Sequence, residues 1–427
     1  MIDHAAAIFS TVERGERASA ALGDAIASQR LGPEQAEQLS RLVYAALRRA
    51  RRVRAALTEV GATASSGPYA RLIVIGAALL EGGDFDLEAA RAAWSEVSWQ
   101  RMLSADAALL ERAQGAERVA LLGSLPDFLA QALWQQYGEE AAALAQSCSE
   151  PAPRSLRVNS LVCDVGEGRQ RLEREGARVE AGRFGQRTLT LQGAFNPFVT
   201  RAFHEGVFEL QDEGSQIACE LVAPPPRGLV VDACAGAGGK TLAIAAALAG
   251  RGKVVSLDVD GRKLAELRRR AKRAGAVNVQ ALEIAEEGAL PDEVMALAGK
   301  VDRLLIDAPC SGTGVLRRNP EARARLTPEA ITRLVETQRA IVERMLPLLA
   351  PGGRLIFVTC SLLRAEGEDL LGATEAAHPE LQPVNLAEIY DRAYAERFRR
   401  SGPHQLRLLP HLHGTDGFFV GVLRRRR

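Results

Sequence analysis

The stretch GLVVDACAGAGGKT, residues 228–241, decides the fold of this chain. An apolar run is followed by a glycine-rich turn and then by the start of a helix. The stretch fits two phosphate-binding templates only in part: a P-loop would need a glycine where Cys234 stands, and a dinucleotide fingerprint would need one at Thr241. What remains is a strand, a turn and a helix N-terminus, where closely spaced glycines let the backbone approach a ligand.

Strand-like and helix-like runs alternate from Cys219 onward. The strand candidates are LVVDACA, KVVSLDVD, VNVQALE, VDRLLIDAP and GRLIFVTCS. Because this alternation is typical of a parallel sheet covered by helices, we predict an α/β, doubly wound, Rossmann-like domain with its ligands at the carboxyl ends of the strands. The tail GTDGFFVGVLRR is expected to add a final antiparallel edge strand.

The rest of the chain has a different pattern. Residues 1–145 contain long Ala, Leu and Arg stretches with apolar residues three to four positions apart, which predicts an all-helical domain. A proline-rich exit follows, and short β-type runs around one helix predict a small α/β linker module over 146–215. We therefore expect three domains, the last covering 216–427.

Composition restricts the class of protein. The 427 residues are 47% hydrophobic and 25% charged, with a net charge of +1, which is typical of a globular protein. No apolar run approaches ~20 residues, and the first residues lack a basic-then-apolar signal pattern, so we expect a cytoplasmic protein without a membrane segment. Six cysteines without a CxxC pair, and histidines without ligand spacing, predict neither a disulfide framework nor a bound metal.

Arginines cluster in two internal segments and at the end of the sequence. The clusters are LRRARRVRAAL (47–57, with Arg48, Arg49, Arg51, Arg52 and Arg54), LRRNPEARARL (316–326, with Arg317 and Arg318) and LRRRR (423–427). Because basic patches neutralise phosphates, we expect RNA contact at the first two, whereas a solvated surface is favoured for the third. The alternative for the first cluster is that its arginines pair with acids such as Glu13 and Glu16.

Two cysteines stand fifty residues apart, each after an apolar strand-like run. Cys310 lies in VDRLLIDAPCSGTG (301–314) and Cys360 in GGRLIFVTCSLL (352–363). A thiolate is the natural nucleophile for an electron-poor ring carbon when its pKa is lowered locally. Cysteines in apolar segments are usually core residues, but the polar, glycine-rich loop after Cys310 argues against burial.

An acid is expected to bind ribose hydroxyls at the end of the second strand, about 20 residues past a glycine turn. KVVSLDVD (253–260) supplies Asp258 and Asp260 there. We choose Asp258 and keep Asp260 as the alternative, since Asp260 also fits the N-cap of the following helix.

Several of these segments, in this order and spacing, resemble the RNA cytosine-5 methyltransferases of the Sun/Fmu and Nop2 type. They are DACAGAGGKT, DAPCSGTGVLRRNPE, TCSLL, RVNSL, LQDEGSQIACELV and DGFF. The resemblance covers roughly 154–427, and the helical region is similar in pattern to the NusB-like RNA-binding domain of the bacterial 16S rRNA members. The family's turn commonly reads Cys-Ala-Ala-Pro-Gly-Gly-Lys, whereas this chain has Cys-Ala-Gly-Ala-Gly-Gly-Lys, whose glycines permit the same close approach.

The resemblance implies S-adenosylmethionine as cofactor and a cytosine of rRNA, expected to be 16S, as substrate. Cys360 is implied as the nucleophile that adds to carbon 6 of the base, and Cys310 as the group that helps to remove the carbon 5 proton. Asp307 would hold the base edge near nitrogen 3, and Lys240 would assist at the base or at the cofactor carboxylate. The implied cofactor site consists of Cys234, Ala235, Gly236, Ala237, Gly238, Gly239, Lys240, Asp258, Glu283 and Asp307.

Three other functions remain open. A DNA cytosine-5 methyltransferase would use the cysteine of the Pro-Cys pair, but Cys360 after Thr359 and the helical N-terminal region disfavour it. An RNA-binding ribosome-assembly factor with an idle methyltransferase fold is disfavoured because both cysteines, Asp307 and Lys240 are present together. The third function is cytosine-5 methylation of another RNA. We expect a monomer whose partner is small-subunit rRNA, free or partly assembled.

Overall fold

The computed structural model describes residues 1–63, 68–82, 85–398 and 402–427. Contacts within the chain define two compact units. The first comprises Met1–Pro151 and Val315–Ala330, and the second comprises Ala152–Gly314 and Ile331–Arg427. The division into three domains at 145 and 215 stays a prediction.

The first unit is helical, as the three-to-four spacing of its apolar residues predicts. Its helices are α1 (Ile2–Glu13), α2 (Ala18–Gln29), α3 (Pro33–Glu59), α4 (Tyr69–Glu81), α5 (Leu87–Ala93), α6 (Trp99–Arg112), α7 (Gly115–Gly123), α8 (Asp127–Tyr137) and α9 (Glu140–Ser147). Helices α3 and α4 approach closely, because a Cβ added at Gly76 would lie 2.7 Å from a methyl group of Val53. Among the described helices, none has the length and apolar character needed to cross a membrane.

The segment 315–330 packs within this helical unit although it follows the Cys310 loop in the chain. It forms a short 3-10 helix, Pro320–Arg325. The buried guanidinium of Arg323 donates hydrogen bonds to the carbonyl oxygens of Gly123, at 3.0 Å, and Cys148, at 2.5 Å. Burial lowers the pKa of Arg323 to about 10, and these carbonyl oxygens supply the hydrogen bonds that water would otherwise provide.

The second unit begins with a small antiparallel sheet, which confirms the short β-type runs expected there. Its elements are β1 (Arg154–Val158), α10 (Val165–Arg174), β2 (Arg178–Ala181), β3 (Thr188–Gln192), α11 (Arg201–His204) and β4 (Phe208–Leu210). The strand order is β2-β3-β1-β4. One face of this sheet packs on α10 and α11 around Leu156, Leu172 and Phe208.

The larger sheet confirms the five predicted parallel strands. The elements are α12 (Glu213–Glu220), β5 (Leu229–Asp232), α13 (Gly239–Ala247), β6 (Lys253–Asp258), α14 (Gly261–Ala274), β7 (Val279–Glu283), α15 (Asp292–Met295), β8 (Val301–Asp307), α16 (Pro328–Met345), β9 (Leu349–Thr359), α17 (Glu368–Ala377), β10 (Leu381–Pro383), α18 (Arg392–Glu396), β11 (Gln405–Leu408), α19 (Pro410–His413) and β12 (Phe418–Arg425). The order is β10-β12-β9-β8-β5-β6-β7, with β11 paired to β12. Strands β5 to β9 are parallel, so the order reverses on either side of β5 and leaves a crevice at the carboxyl ends of β5 and β8.

The last strand departs from its prediction in one respect. β12 is antiparallel to β9, as expected, but it is not an edge strand. The three residues of β10 pair with β12 near its end, and β11 pairs with its beginning. Neither partner strand was predicted, because both are only three or four residues long.

Candidate active site

The two cysteines meet at the carboxyl edge of the large sheet. β8 ends at Asp307 and β9 at Thr359, and because these parallel strands are neighbours, the loops that follow them begin side by side. The Sγ atoms of Cys310 and Cys360 lie 3.4 Å apart. The backbone N–H of Gly314 also donates to the carbonyl oxygen of Cys360 at 2.9 Å, which holds one loop against the other.

The surroundings of Cys310 favour its neutral thiol form. The hydrogen bond to Cys360, together with burial, raises the pKa of Cys310 well above its usual range. Cys310 therefore stays protonated, and its S–H group can donate a hydrogen bond to the sulfur of Cys360. A sulfur that receives this hydrogen bond is the better placed of the two to act as a thiolate.

A buried cation and an acid flank the cysteines. Lys240 at the start of α13 donates a hydrogen bond from Nζ to Oδ2 of Asp307, and the ring of Phe418 lies 5.5 Å from the same nitrogen. Burial alone lowers the pKa of Lys240, but the carboxylate of Asp307 raises it above its ordinary value. Lys240 is therefore an ammonium group beside the crevice.

One buried carboxylate joins the two cysteine loops. Glu366 is fully buried, and its Oε1 accepts from the backbone N–H of Ser311 at 2.8 Å and from Nε2 of Gln338 at 3.0 Å. Its Oε2 accepts from the hydroxyl of Ser361 at 2.6 Å and from the hydroxyl of Ser311. Ser311 and Ser361 each follow one of the cysteines, so Glu366 fixes both loops at once.

Sequence reasoning missed Glu366. It stands in SLLRAEGEDLL among other acids, and nothing in its spacing separates a buried acid from an exposed one. The serine that follows each cysteine was the available signal, because paired hydroxyls next to two convergent strand ends need an acceptor.

The glycine turn has the backbone geometry that its sequence predicts. Gly236 and Gly238 have φ angles of 54° and 88°, in the region that favours glycine. A Cβ at Gly238 would lie 2.7 Å from Leu267, whereas at Gly236 no described atom lies within 4 Å of that position. The turn is thus tight on the side of α14 and open at Gly236.

Asp258 is held beside this turn. Its Oδ2 accepts from the backbone N–H of Gly236 at 2.8 Å and its Oδ1 from that of Asp260 at 2.9 Å. Asp260 caps α14 by accepting from the N–H of Arg262, so the alternative ribose ligand is engaged as a helix cap.

A cavity of about 250 Å³ opens between the glycine turn, the end of β6 and α16. Ala233, Cys234, Gly236, Asp258, Val259, Lys263, Ile284, Glu286, Asp307, Pro309, Thr337, Ile341, Arg344 and Met345 line it. The half-exposed side chain of Val259 and the buried Ile284 give it apolar walls, and the carboxylate of Asp258 stands at its polar side. An apolar slot, an acid and an open backbone turn fit the base, ribose and amino-acid parts of S-adenosylmethionine.

Of the other residues expected to bind the cofactor, some line the cavity and some do not. Cys234 and Asp307 line the cavity, and burial raises the pKa of Cys234, which keeps that thiol neutral. Ala235 is a core residue. Ala237 and Gly239 contribute carbonyl oxygens to the guanidinium groups of Arg270 and Arg157.

The expectation for Glu283 is corrected. This residue ends β7 and is exposed, and it is not among the described residues that line the cavity. Its carboxylate lies against Gly261 at the start of α14 instead. Ile284 and Glu286, which follow the end of β7, line the cavity.

The arginines of the first cluster, for which RNA contacts are predicted, are paired with acids. Arg48 and Arg49 donate to the carboxylate of Glu81, and Arg48 is 5% exposed. Arg52 forms two hydrogen bonds of 2.6 Å with Asp106. Arg51 binds Asp127 and Arg54 binds Glu13. The guanidinium groups of this cluster are engaged with acids of other helices, as the alternative interpretation expects, and the RNA contact stays a prediction.

Arg317 and Arg318 do not form an open patch either. Arg317 is 6% exposed and Arg318 is half-buried, both in the segment that packs within the helical unit. The RNA contact expected of these two arginines stays a prediction. Across the described ranges, the His, Cys, Asp and Glu side chains form no group of three or more that could hold a metal ion.

The fold and the glycine turn define a Rossmann-like methyltransferase. Residues 219–424 match the profile of the 16S rRNA methyltransferases RsmB/F, and 125–197 match the ferredoxin-like domain of RsmF/B-like methyltransferases. The probable ribosomal RNA small subunit methyltransferase B of Bacillus subtilis is 32% identical over 72% of this chain and 68% of its own length. The chain belongs to the RsmB/F family of 16S rRNA methyltransferases.

Solved structures share the same architecture. The crystal structure of PH0851 superposes with a TM-score of 0.78 at 25% identity, over 100% of this chain and 99% of that one. A methyltransferase homologue from Pyrococcus horikoshii gives a TM-score of 0.61 at 26% identity, over 74% of this chain and 99% of its own.

Proposed function

We propose that this protein transfers a methyl group from S-adenosylmethionine to carbon 5 of a cytosine in small-subunit rRNA, through a covalent bond between Cys360 and carbon 6. The observation that supports this most is the 3.4 Å approach of Cys310 and Cys360 beside the Lys240–Asp307 pair. A methyltransferase acting on an oxygen or an exocyclic nitrogen has no need of two thiols at the same crevice. The helical region is proposed to be NusB-like, and the protein to act in the cytoplasm as a monomer.

The reaction begins at Cys360. Its thiolate adds to carbon 6, which forms the C–S bond and moves the ring electrons towards carbon 5. Asp307 holds the base edge near nitrogen 3, and the ammonium of Lys240 stabilises the charge that develops on the ring. When bound, S-adenosylmethionine supplies the electrophilic methyl group that carbon 5 accepts.

Cys310 acts at release. Once Cys360 is bonded to carbon, it no longer accepts the hydrogen bond that helps to raise the pKa of Cys310. Cys310 can then lose its own proton to solvent and take the proton from carbon 5. The electron pair of the C5–H bond restores the ring double bond, the C–S bond breaks, and Cys360 leaves as a thiolate.

Asp258 and the glycine turn hold the cofactor in this scheme. The carboxylate of Asp258 faces the cavity while it accepts two backbone N–H groups, so its position is fixed before a ribose binds. The target base must be unstacked, because Cys360 attacks its face. Single-stranded rRNA, free or partly assembled, meets this requirement.

The experiment that tests the proposal uses unmodified small-subunit rRNA and S-adenosylmethionine with a tritiated methyl group. Label should appear in the RNA, and bisulfite sequencing should find a cytosine that resists deamination. Label on another base or position would contradict the proposal. RNA binding without any label would favour a catalytically idle ribosome-assembly factor. Label only on other RNAs would show that the substrate is not small-subunit rRNA.

A further inference from the structure

Three arginines occupy paired positions on three neighbouring strands of the large sheet. The strand register pairs Arg303 of β8 with Arg354 of β9, and Arg354 with Arg424 of β12. Gln382 of β10 continues the row beside Arg424. Because paired residues point to the same face of a sheet, these side chains share one surface. We call Arg303, Arg354 and Arg424 the arginine row.

The row lies far from the cysteine loops. Arg303 precedes Asp307 by four positions on β8, which corresponds to about 13 Å along the strand. Arg354 precedes Cys360 by six positions, or about 20 Å. The row therefore occupies the amino-terminal edge of the parallel strands, and it does not belong to the site described above.

Like charges directly opposite one another destabilise a sheet, so the row needs an explanation. Burial and the nearby charge of Arg354 together lower the pKa of Arg303 to about 10. Burial and the charge of Arg424 lower the pKa of Arg354 in the same way. The guanidinium groups of Arg303 and Arg354 are thus partly desolvated among other cations, an arrangement that an external anion would stabilise.

The acids around the row are too few to neutralise it. Glu388 accepts from Arg424 at 2.6 Å but lies 3.9 Å from Arg354. In the part of the chain that the structure describes, the Arg354 guanidinium has that one acidic neighbour and donates no hydrogen bond. Asp302, the acid next to Arg303, accepts from the backbone N–H of Leu229 and offsets only part of the charge of Arg303. The guanidinium of Arg303 also donates to the carbonyl oxygens of Val222 and Ala223, whereas that of Arg354 has no such acceptor among the described residues.

The surface above the row is concave. A cavity of about 600 Å³ is lined there by eight described residues, six of which are arginines and none of which is acidic. The row extends over two strand spacings, or roughly 10 Å, which is wider than a single phosphate group. A chain of phosphates matches this width and charge better than one small anion does.

We propose that the arginine row binds the phosphodiester backbone of RNA at a point remote from the modified nucleotide. The choice of RNA rests on the proposed function, whereas the anion site rests on the row itself. Guanidinium groups bind phosphate oxygens through paired N–H donors, and such contacts position a nucleic acid without reading its sequence. This contact would hold the substrate while its target loop enters the crevice.

The test compares wild type with the double variant Arg354→Gln/Arg424→Gln, which keeps side-chain length and removes two charges. The matched control is Arg112→Gln/Arg392→Gln, which removes two exposed, ion-paired charges elsewhere. Affinity for a small-subunit rRNA transcript is measured over a salt titration. We expect the row variant to bind about ten-fold more weakly near 0.1 M salt, with a salt slope reduced by about two, since each lost phosphate contact removes about 0.9. The control should match wild type.

Melting temperatures, measured with and without inorganic phosphate, show whether the row variant is folded and whether the site takes a small anion rather than RNA. Because the row variant relieves like-charge repulsion, its melting temperature should equal or exceed that of wild type, while inorganic phosphate should raise the melting temperature of wild type alone. An unchanged salt slope in the row variant, or an equal loss in the control, would overturn the proposal. Stabilisation by phosphate with unchanged RNA binding would also overturn it, in favour of a small-anion site. None of these measurements needs methyl transfer, so an inactive protein with the expected slopes would reject the proposed function and leave this inference standing.

Discussion

The Sγ atoms of Cys310 and Cys360 lie 3.4 Å apart although fifty residues separate them in the chain. Adjacent parallel strands bring them together, and the hydrogen bond between them, together with burial, raises the pKa of Cys310. The two cysteines are therefore unequal before any substrate binds. This inequality supports different roles for them: Cys360 for attack and Cys310 for release.

Glu366→Gln should weaken the alignment of the cysteines. The carboxylate accepts four hydrogen bonds, and a glutamine would offer one oxygen and turn its NH₂ group towards donors. We expect a loss of about 2–4 kcal/mol in unfolding free energy and a lower rate of adduct formation at saturating RNA. Urea unfolding and single-turnover kinetics measure these quantities. The control is Glu336→Gln on the exposed face of α16; equal behaviour of both variants would contradict the role of Glu366.

Asp258→Ala should weaken cofactor binding. Loss of the carboxylate removes a charged acceptor for the ribose and frees the Gly236 N–H, at a cost of about 1–3 kcal/mol in binding free energy. Calorimetry with S-adenosylhomocysteine measures this loss. Glu283→Ala is the matched control, since its carboxylate lies outside the cavity. An unchanged affinity for Asp258→Ala would move the ribose contact elsewhere.

Asp232 should make stability depend on pH. This carboxyl is fully buried below the glycine turn and accepts from the hydroxyl of Thr241 at 2.7 Å. Burial raises the pKa of Asp232 from 3.8 to about 7. Because the folded state binds the proton more tightly than the unfolded state does, the stability from Asp232 is full below about pH 4 and is lost as the pH rises through about 7.

Asp232→Asn should remove that dependence. The amide oxygen can still accept from Thr241, and no charge is buried at high pH. The variant should gain stability relative to wild type between pH 5 and pH 8, by up to about 4 kcal/mol. Thermal melts across this range measure the gain. A constant difference between the two proteins at all pH values would show that Asp232 does not titrate as its burial requires.

Arg52→Ala should destabilise the helical unit. Its guanidinium forms two hydrogen bonds with Asp106, which is 4% exposed, so the variant leaves a buried carboxylate without its partner. We expect a loss of about 2–4 kcal/mol, part of which Asp106→Ala should restore in the double variant. Chemical unfolding of the full cycle measures this coupling. Full stability in Arg52→Ala, together with weaker RNA binding, would return Arg52 to the phosphate-contact role.

The sheet and the glycine turn could be predicted from the sequence because their signals are local. Apolar runs of strand length alternate with helices, and glycine is required where φ is positive at Gly236 and Gly238. The cysteines could be identified for the same reason, since each follows one such strand. The serine after each cysteine indicates that an acceptor is needed, but the sequence could not identify Glu366 as that acceptor, because its partners come from three separate segments.

The charged residues show where sequence reasoning fails. Arg48 and Arg52 looked like a basic surface, yet their acidic partners lie 33 and 54 residues away and were not apparent. The arginine row was not predicted, although its charges do cluster in the folded protein. Its three members are scattered in the chain, and only the strand register brings them opposite one another.

The central claim is that Cys360 attacks and Cys310 releases, and trapping with rRNA containing 5-fluorocytosine tests it most directly. Wild type should form a stable protein–RNA adduct whose bond maps to Cys360 by mass spectrometry. With unmodified RNA, Cys310→Ala should accumulate an adduct and Cys360→Ala should form none, while both variants keep wild-type melting behaviour. An adduct mapped to Cys310, or one formed by Cys360→Ala and not by Cys310→Ala, would contradict the account.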